Sequence, residues 1–459
     1  MTPWQRKSEF SSTFARPIGV NESFIKLIGD AGHAIGREHW AIHSTASIVA
    51  KGSLPGLLLT RLRYAWRHLR FQHPSLAAYV GSDQGTLVYD IPSSEEDLEA
   101  WFQETFKVEQ NAPSASELLP MLRPSRFATL CYVVKSGELL AYTSHWRNDG
   151  LGVVILLDSL LRLLVAPDLS DPTNLPWGDE VLRLSPCVED AIGISENPTA
   201  DQQALAKACV DTFALMSDST GIPYEALAPS PLGTLEELIT LEVGLTGSII
   251  DAARDKGVDV KAAVHASVAA ANWDRATEVD KTKHYASTIR VSLRPYLAKK
   301  SPPATYASGL YTTGWMDKVE PSNGWLSIAN HYHSVYEQGI SNDYIQAHGR
   351  YAGGLLDMVR NLPPDLPAPT NVDISVIDGA EDLLATSYGS GDLAVDVKGM
   401  TVGVDMLSPQ VFCFMWLFRE RLNISVVYNQ AYHAQPEMRE FLESVRRSLL
   451  DGLEVYNES

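Results

Sequence analysis

Cysteine is scarce. Four occur in 459 residues, at positions 131, 187, 209 and 413, and no two share a zinc-type or disulfide-type spacing. That excludes a disulfide framework and points to a reducing compartment. Cys131 and Cys413 fall in apolar, strand-like runs, where a thiol behaves as a small hydrophobe. Positive charge is also short. The chain holds 37 Lys and Arg against 56 Asp and Glu, a net charge of −19. Such a balance argues against a nucleic-acid surface and against an anionic membrane, while leaving room for a local cationic patch. The longest apolar run, 151–167, contains Asp158 and Arg162 and is too short to span a bilayer. Residues 1–12 are polar and lack the apolar core of a signal peptide. A cytoplasmic protein without a membrane partner is the expectation. No Gly-x-Ser-x-Gly elbow exists to name a serine nucleophile. Gly349, Gly353 and Gly354 follow no strand and make no phosphate loop. His331-Tyr332-His333 reads as helix, which splays the two rings, and no further ligand cluster stands nearby. No metal and no bound cofactor are expected.

What remains is ample core. Hydrophobic residues make up 45% of the chain and charged residues 20%, an ordinary globular composition. The length suggests two domains, 1–220 and 221–459, joined through the proline-bearing stretch 221–233. Strand-like and helix-like periods alternate in both halves. In the first, 40–50 reads as a strand and 53–73 as a helix with Leu57, Leu58, Leu62, Ala65, Trp66 and Leu69 on one face. In the second, 284–293, 310–315, 372–377, 393–397, 399–406, 410–418 and 422–428 read as strands, and 260–273 as a buried helix. The fold class is therefore α/β: two similar mixed-sheet halves with helices packed on them. A cleft between two such halves is a common ligand site. A monomer is expected.

One stretch organises the chain. Two apolar runs, 127–134 and 138–142, are split by Lys135-Ser136-Gly137 and read as a hairpin. An apolar run at 151–165 reads as a buried helix. Between them stand Ser144-His145-Trp146-Arg147-Asn148-Asp149-Gly150. His145 sits where a strand ends and a helix begins. A histidine can take a proton from a hydroxyl and return it to a leaving group, because its free pKa lies near neutrality. Asp149 suits the positive end of the helix. Gly150 permits a backbone shape or a close approach that a side chain would block. Among 12 histidines, roughly 0.7 His-x-x-x-Asp matches arise by chance, but only about 0.05 with a following glycine.

His145-Trp146-Arg147-Asn148-Asp149-Gly150 resembles the HxxxDG motif of chloramphenicol-acetyltransferase-like acyltransferases, which include nonribosomal peptide condensation domains. The resemblance is greatest to the fungal trichothecene 15-O-acetyltransferases and runs over roughly residues 35–455. It is carried by His39-Trp40, by 69–76 with His73-Pro74, by the motif, by Val291-Ser292-Leu293-Arg294-Pro295, and by 422–432. Condensation domains carry a second histidine where this chain has Ser144, which weakens peptide condensation more than O-acyl transfer. The second motif of the family, Asp-Phe-Gly-Trp-Gly, is absent, and Val404-Asp405-Met406-Leu407-Ser408 holds roughly its place.

The resemblance implies two facing halves with an active-site tunnel between them and His145 midway along it. It implies acetyl-CoA as co-substrate and a small hydroxylated acceptor, such as a terpenoid secondary metabolite. It implies that Arg294 pairs across the halves with Asp149, which is then architectural. Arg290 competes for that role, since on one strand the two would share a face. Ser144 either donates a hydrogen bond in the site or caps the turn. Trp146 either walls the acceptor pocket or belongs to the core. Lys299 and Lys300, in the loop after Arg294, are candidates for the phosphates of coenzyme A or for a plain solvated loop. Two other readings stay open. One is a free-standing condensation-like enzyme forming an ester or amide from a carrier-protein-bound acyl thioester. The other is a non-catalytic member of the family.

Overall fold

The computed structural model describes residues 3–195, 197–228, 230–297, 306–363 and 366–456. The elements that build the site are, in chain order, α1 (Val20–Asp30), β1 (Ile42–Gly52), α2 (Leu54–Gln72), β2 (Phe106–Glu109), β3 (Thr129–Val133), β4 (Glu138–Thr143), α3 (Gly150–Val165), β5 (Thr234–Thr240), α4 (Val260–Arg275), β6 (Tyr285–Ser292), β7 (Thr312–Val319), α5 (Asn342–Arg360), β8 (Val372–Ile377), β9 (Ser387–Ser390), β10 (Leu393–Val404), β11 (Val411–Phe418), β12 (Arg421–Asn429) and α6 (Gln435–Leu453).

The central hairpin forms because Gly137 can take a φ of +67°, which a tight turn needs. Its strands β3 and β4 pair antiparallel from Val133 opposite Glu138 to Thr129 opposite Tyr142. They join a six-stranded sheet with the order β9-β10-β1-β4-β3-β2. The chain of the second half therefore reaches into the sheet of the first. β10 runs antiparallel to β1, from Val404 opposite Ile42 to Leu393 opposite Gly52. The sequence suggests two strands at 393–397 and 399–406. They are one, with a bulge between Val397 and Gly399 that absorbs an extra residue against the unbroken β1. Helix α3 packs on this sheet beside α2. It is apolar nearly all round and most of its residues are buried, as its position demands.

The second half holds a four-stranded sheet, β8-β11-β12-β5, and the pair β6-β7. β8 and β11 are parallel while the other pairings of that sheet are antiparallel, so it is mixed. β11 shows why its sequence is apolar at nearly every position. Val411, Cys413 and Met415 enter the core under α4 and α6. Phe412, Phe414, Trp416 and Phe418 enter the core of the first half. A strand buried on both faces cannot alternate with polar residues. Among the described residues, no helix is long and apolar enough to cross a membrane.

Candidate active site

β4 ends at Thr143 and α3 begins at Gly150, so the motif is the connection between them. The carbonyl of Ser144 closes this turn by accepting from the amides of Arg147 at 3.1 Å and Asn148 at 3.3 Å. Nδ1 of His145 lies 3.1 Å from the carbonyl oxygen of Asn148. A carbonyl only accepts, so the proton belongs on Nδ1 and the lone pair on Nε2. Burial pushes the pKa of His145 below its ordinary value; the Asp149 charge opposes that shift and the Arg290 charge adds to it. The imidazole is therefore neutral near pH 7, with one nitrogen pinned and the other able to accept.

Asp149 is the most heavily bonded group of the motif. It is the N-cap of α3, and its Oδ1 accepts from the Gly152 amide at 2.8 Å. Nη1 of Arg294 donates to Oδ1 and Oδ2, each at 2.8 Å, and the Tyr311 amide donates to Oδ2 at 2.8 Å. Arg294 and Tyr311 come from the second half, so this buried carboxylate ties the halves together at the site. Both charges are nearly sealed, with side-chain exposures of 8% and 4%. A buried pair of this kind is tolerable only because its lone pairs are filled.

Arg290 goes elsewhere. β6 stops at Ser292, and Arg294 opens a separate helical turn, so the two arginines do not share one strand face. Nη2 of Arg290 donates to Oδ2 of Asp373 at 2.7 Å, and Nη1 to the carbonyl of Ile374 at 2.8 Å.

A cavity of about 180 Å³ opens beside His145. Asp149, Gly150 and Leu151 line it from the motif; Asn21, Phe24 and Ile25 from α1; Trp40, Ile42 and Val402 from the β1–β10 side; Thr288 and Arg290 from β6; Phe412 and Phe414 from β11. The wall thus comes from both halves and is mostly apolar. Trp40 holds a backbone φ of +63°, rare for a bulky residue, fixed by its amide donating to the Asp405 carbonyl at 2.7 Å. Strained backbone of this kind is often found at ligand sites. Asp405, in the place of the absent second motif, also accepts from the Thr234 hydroxyl and returns its amide to the Ala41 carbonyl at 2.7 Å. That segment stitches the two halves.

Several candidates do not reach the cavity. Ser144 is buried and its hydroxyl donates to Glu38 Oε2 at 2.9 Å. Trp146 is buried under the guanidinium of Arg147, 4.6 Å from the ring. Arg147 in turn donates to the Ala78 carbonyl, and to that of Arg126 at 2.8 Å. Neither Ser144 nor Trp146 lines the cavity. Ser144 closes the turn through its carbonyl, and Trp146 packs in the core under Arg147. Lys299 and Lys300 lie outside the described residues.

The sequence reading missed Gly152. A Cβ there would stand 2.3 Å from the Ala307 carbonyl oxygen and 2.7 Å from Nη2 of Arg294. At Gly150 a Cβ would meet Val402 Cγ1 at 3.3 Å and Ile377 Cδ1 at 4.0 Å, both ends of side chains. The close approach of the halves therefore depends on Gly152 more than on Gly150. The Gly-x-Gly spacing was the available signal.

No family model matches the sequence. The acetyltransferase pigO of Monascus ruber is 36% identical over 460 aligned residues, covering 99% of each chain. Among solved structures, the trichothecene 15-O-acetyltransferase TRI3 of Fusarium sporotrichioides is similar with a TM-score of 0.81 at 17% identity, covering 98% of both chains. The first condensation domain of the calcium-dependent antibiotic synthetase is similar with a TM-score of 0.66 at 13% identity, covering 96% of both chains.

Proposed function

The chain belongs to the fungal acetyltransferases related to pigO, acyltransferases with the chloramphenicol-acetyltransferase-like, condensation-domain-like fold, and from that premise we propose an acetyl-CoA-dependent O-acetyltransferase acting on a hydroxyl of a terpenoid-like secondary metabolite. His145 is the general base. The observation that carries this reading is the imidazole held at Nδ1 by the Asn148 carbonyl beside a largely apolar cavity walled by both halves.

The reaction runs as follows. Nε2 of His145 takes the proton of the acceptor hydroxyl as its oxygen attacks the thioester carbonyl carbon. The carbon–oxygen bond forms and the carbonyl becomes a tetrahedral oxyanion. The oxyanion collapses, the carbon–sulfur bond breaks, and the imidazolium returns its proton to the coenzyme A thiolate. His145 ends neutral, ready for another turn. Holding both substrates in one cavity supplies the proximity that this two-substrate reaction needs. Asp149 takes no proton. Clamped by Arg294, Tyr311 and Gly152, it fixes the loop so that the imidazole is aimed.

The test is thiol release from acetyl-CoA across a panel of hydroxylated sesquiterpenoids. Acceptor-dependent release is expected, and His145→Ala should lower it by about 10²–10⁴-fold without lowering the unfolding temperature. Acceptor-dependent release that survives the substitution would remove His145 from the chemistry. Silence with every acceptor would remove free acetyl-CoA or this acceptor class.

A further inference from the structure

Arg290 is left over once the Asp149–Arg294 clamp is accounted for. Among the described residues, the Asp, His and Arg side chains on the cavity wall are His145, Asp149, Arg290 and Arg294. His145 is neutral. Asp149 and Arg294 are spent on one another. Arg290 is different, because its partner lies behind it. Asp373 is 1% exposed while the Arg290 side chain is 25% exposed. The Asp373 carboxylate is fully engaged: Oδ1 accepts from the amides of Thr288 at 3.0 Å and Ile374 at 2.9 Å, and Oδ2 from the Thr288 hydroxyl at 3.0 Å and from Arg290 at 2.7 Å. The Ile374 carbonyl and the Phe412 ring, 4.7 Å from the guanidinium carbon, complete the brace. The pair thus shows its cationic side to the cavity. Fixed in this way, the guanidinium keeps N–H groups beyond those that serve Asp373, Ile374 and Thr288.

We propose that Arg290 is a specificity-determining residue that binds a carboxylate or carbonyl oxygen of the acceptor, so that the natural acceptor is a largely apolar alcohol carrying one such oxygen. This deepens the O-acetyltransferase reading and rests on it for the word acceptor. Three observations lead there. A rigid cation on a mostly apolar wall rewards an electron-rich oxygen placed against it. The phosphates of coenzyme A sit at the far end of the pantetheine arm from the thioester, so a cation in the same cavity as the base does not meet them. A ligand that left Arg290 unpartnered would desolvate its charge at a cost, which turns the contact into discrimination.

The experiment uses the full chain and three matched probes: 4-(hydroxymethyl)benzoate, 4-(hydroxymethyl)acetophenone and 4-methylbenzyl alcohol. Equilibrium binding of each is measured to the wild type, Arg290→Gln and Arg290→Lys. The wild type should bind the carboxylate and the ketone about tenfold more tightly than the methyl compound. Arg290→Gln should bring all three within about twofold. Arg290→Lys, which keeps the charge and guards against a folding defect in the glutamine variant, should retain the preference for the carboxylate. Equal binding of the three by the wild type, weak or strong, overturns the inference. So does a preference that survives Arg290→Gln. Acceptor-dependent thiol release is scored separately. Release without oxygen preference sinks this inference alone, and oxygen preference without release sinks the acetyl-transfer reading alone.

Discussion

At the scale of the residue, the proposed chemistry turns on one imidazole. Its pKa is lowered chiefly by burial, so the base form persists to lower pH than in a free histidine. The expected consequence is a pH profile of kcat/KM that stays flat from pH 8 down past 6.5, the ordinary imidazole value, and falls only below it. An acidic limb at or above 6.5 would contradict a part-buried imidazole that is neutral near pH 7. The same scale shows why spacing misleads. Arg290 and Arg294 stand four apart, which on one strand means one face. The strand ends between them, and each finds a different carboxylate, Asp373 and Asp149. Ser144 and Trp146 flank His145 in sequence, yet both face the interior of the first half.

At the scale of the element, the first turn of α3 is where the halves meet. It carries the Asp149 cap, the Gly152 amide that the cap accepts from, and the backbone surface against which Ala307 and Arg294 pack. Gly152→Ala should therefore cost about 1–3 kcal/mol, because backbone and a clamped guanidinium must both move. It should also lower turnover by displacing the clamp that aims His145. Gly150→Ala, which comes no nearer than 3.3 Å to a valine methyl, should be milder on both counts. Thermal unfolding and kcat measured side by side on the two variants check this; equal effects would mean that the approach of the halves is not what the glycine protects. The crossing strand β10 belongs to this scale as well. It places Val402, Gly403 and Val404 in the cavity wall although they follow the motif by some 250 residues, and so makes the site a property of the whole chain.

At the scale of the molecule, burial of titratable groups ties stability to pH. His39, His43, His73 and His348 are each pushed down to about 4 by burial, and His265 lies well below its ordinary value for the same reason. A histidine depressed in the fold binds its proton more readily in the unfolded chain. Its contribution is present above 6.5 and is lost as pH falls. Burial acts oppositely on Asp405, raised to about 6, and on Glu236, raised to about 7, which favour the fold at low pH. The histidines outnumber these two carboxyls. Stability should therefore fall between pH 6.5 and 4.5, each net proton contributing about 1.4 kcal/mol per pH unit. Unfolding temperatures recorded across that window should drop steadily, and a flat or rising curve would show that these imidazoles are not buried as described.

The α/β class, the central hairpin, the buried helix that follows it and the motif from His145 to Gly150 are all legible in the residue order. All of these are local: a turn glycine, an apolar period and a residue order that survive without knowledge of what packs where. The pairing of β10 with β1, the two cores fed by β11, the choice of Arg294 by Asp149 that leaves Arg290 facing the cavity, and the need for glycine at position 152 emerge only when the halves pack together. Each of these depends on contacts between residues far apart in sequence. Strand pairing and ion-pair choice are settled by which surfaces meet once the halves close, and the spacing along one segment does not contain that information.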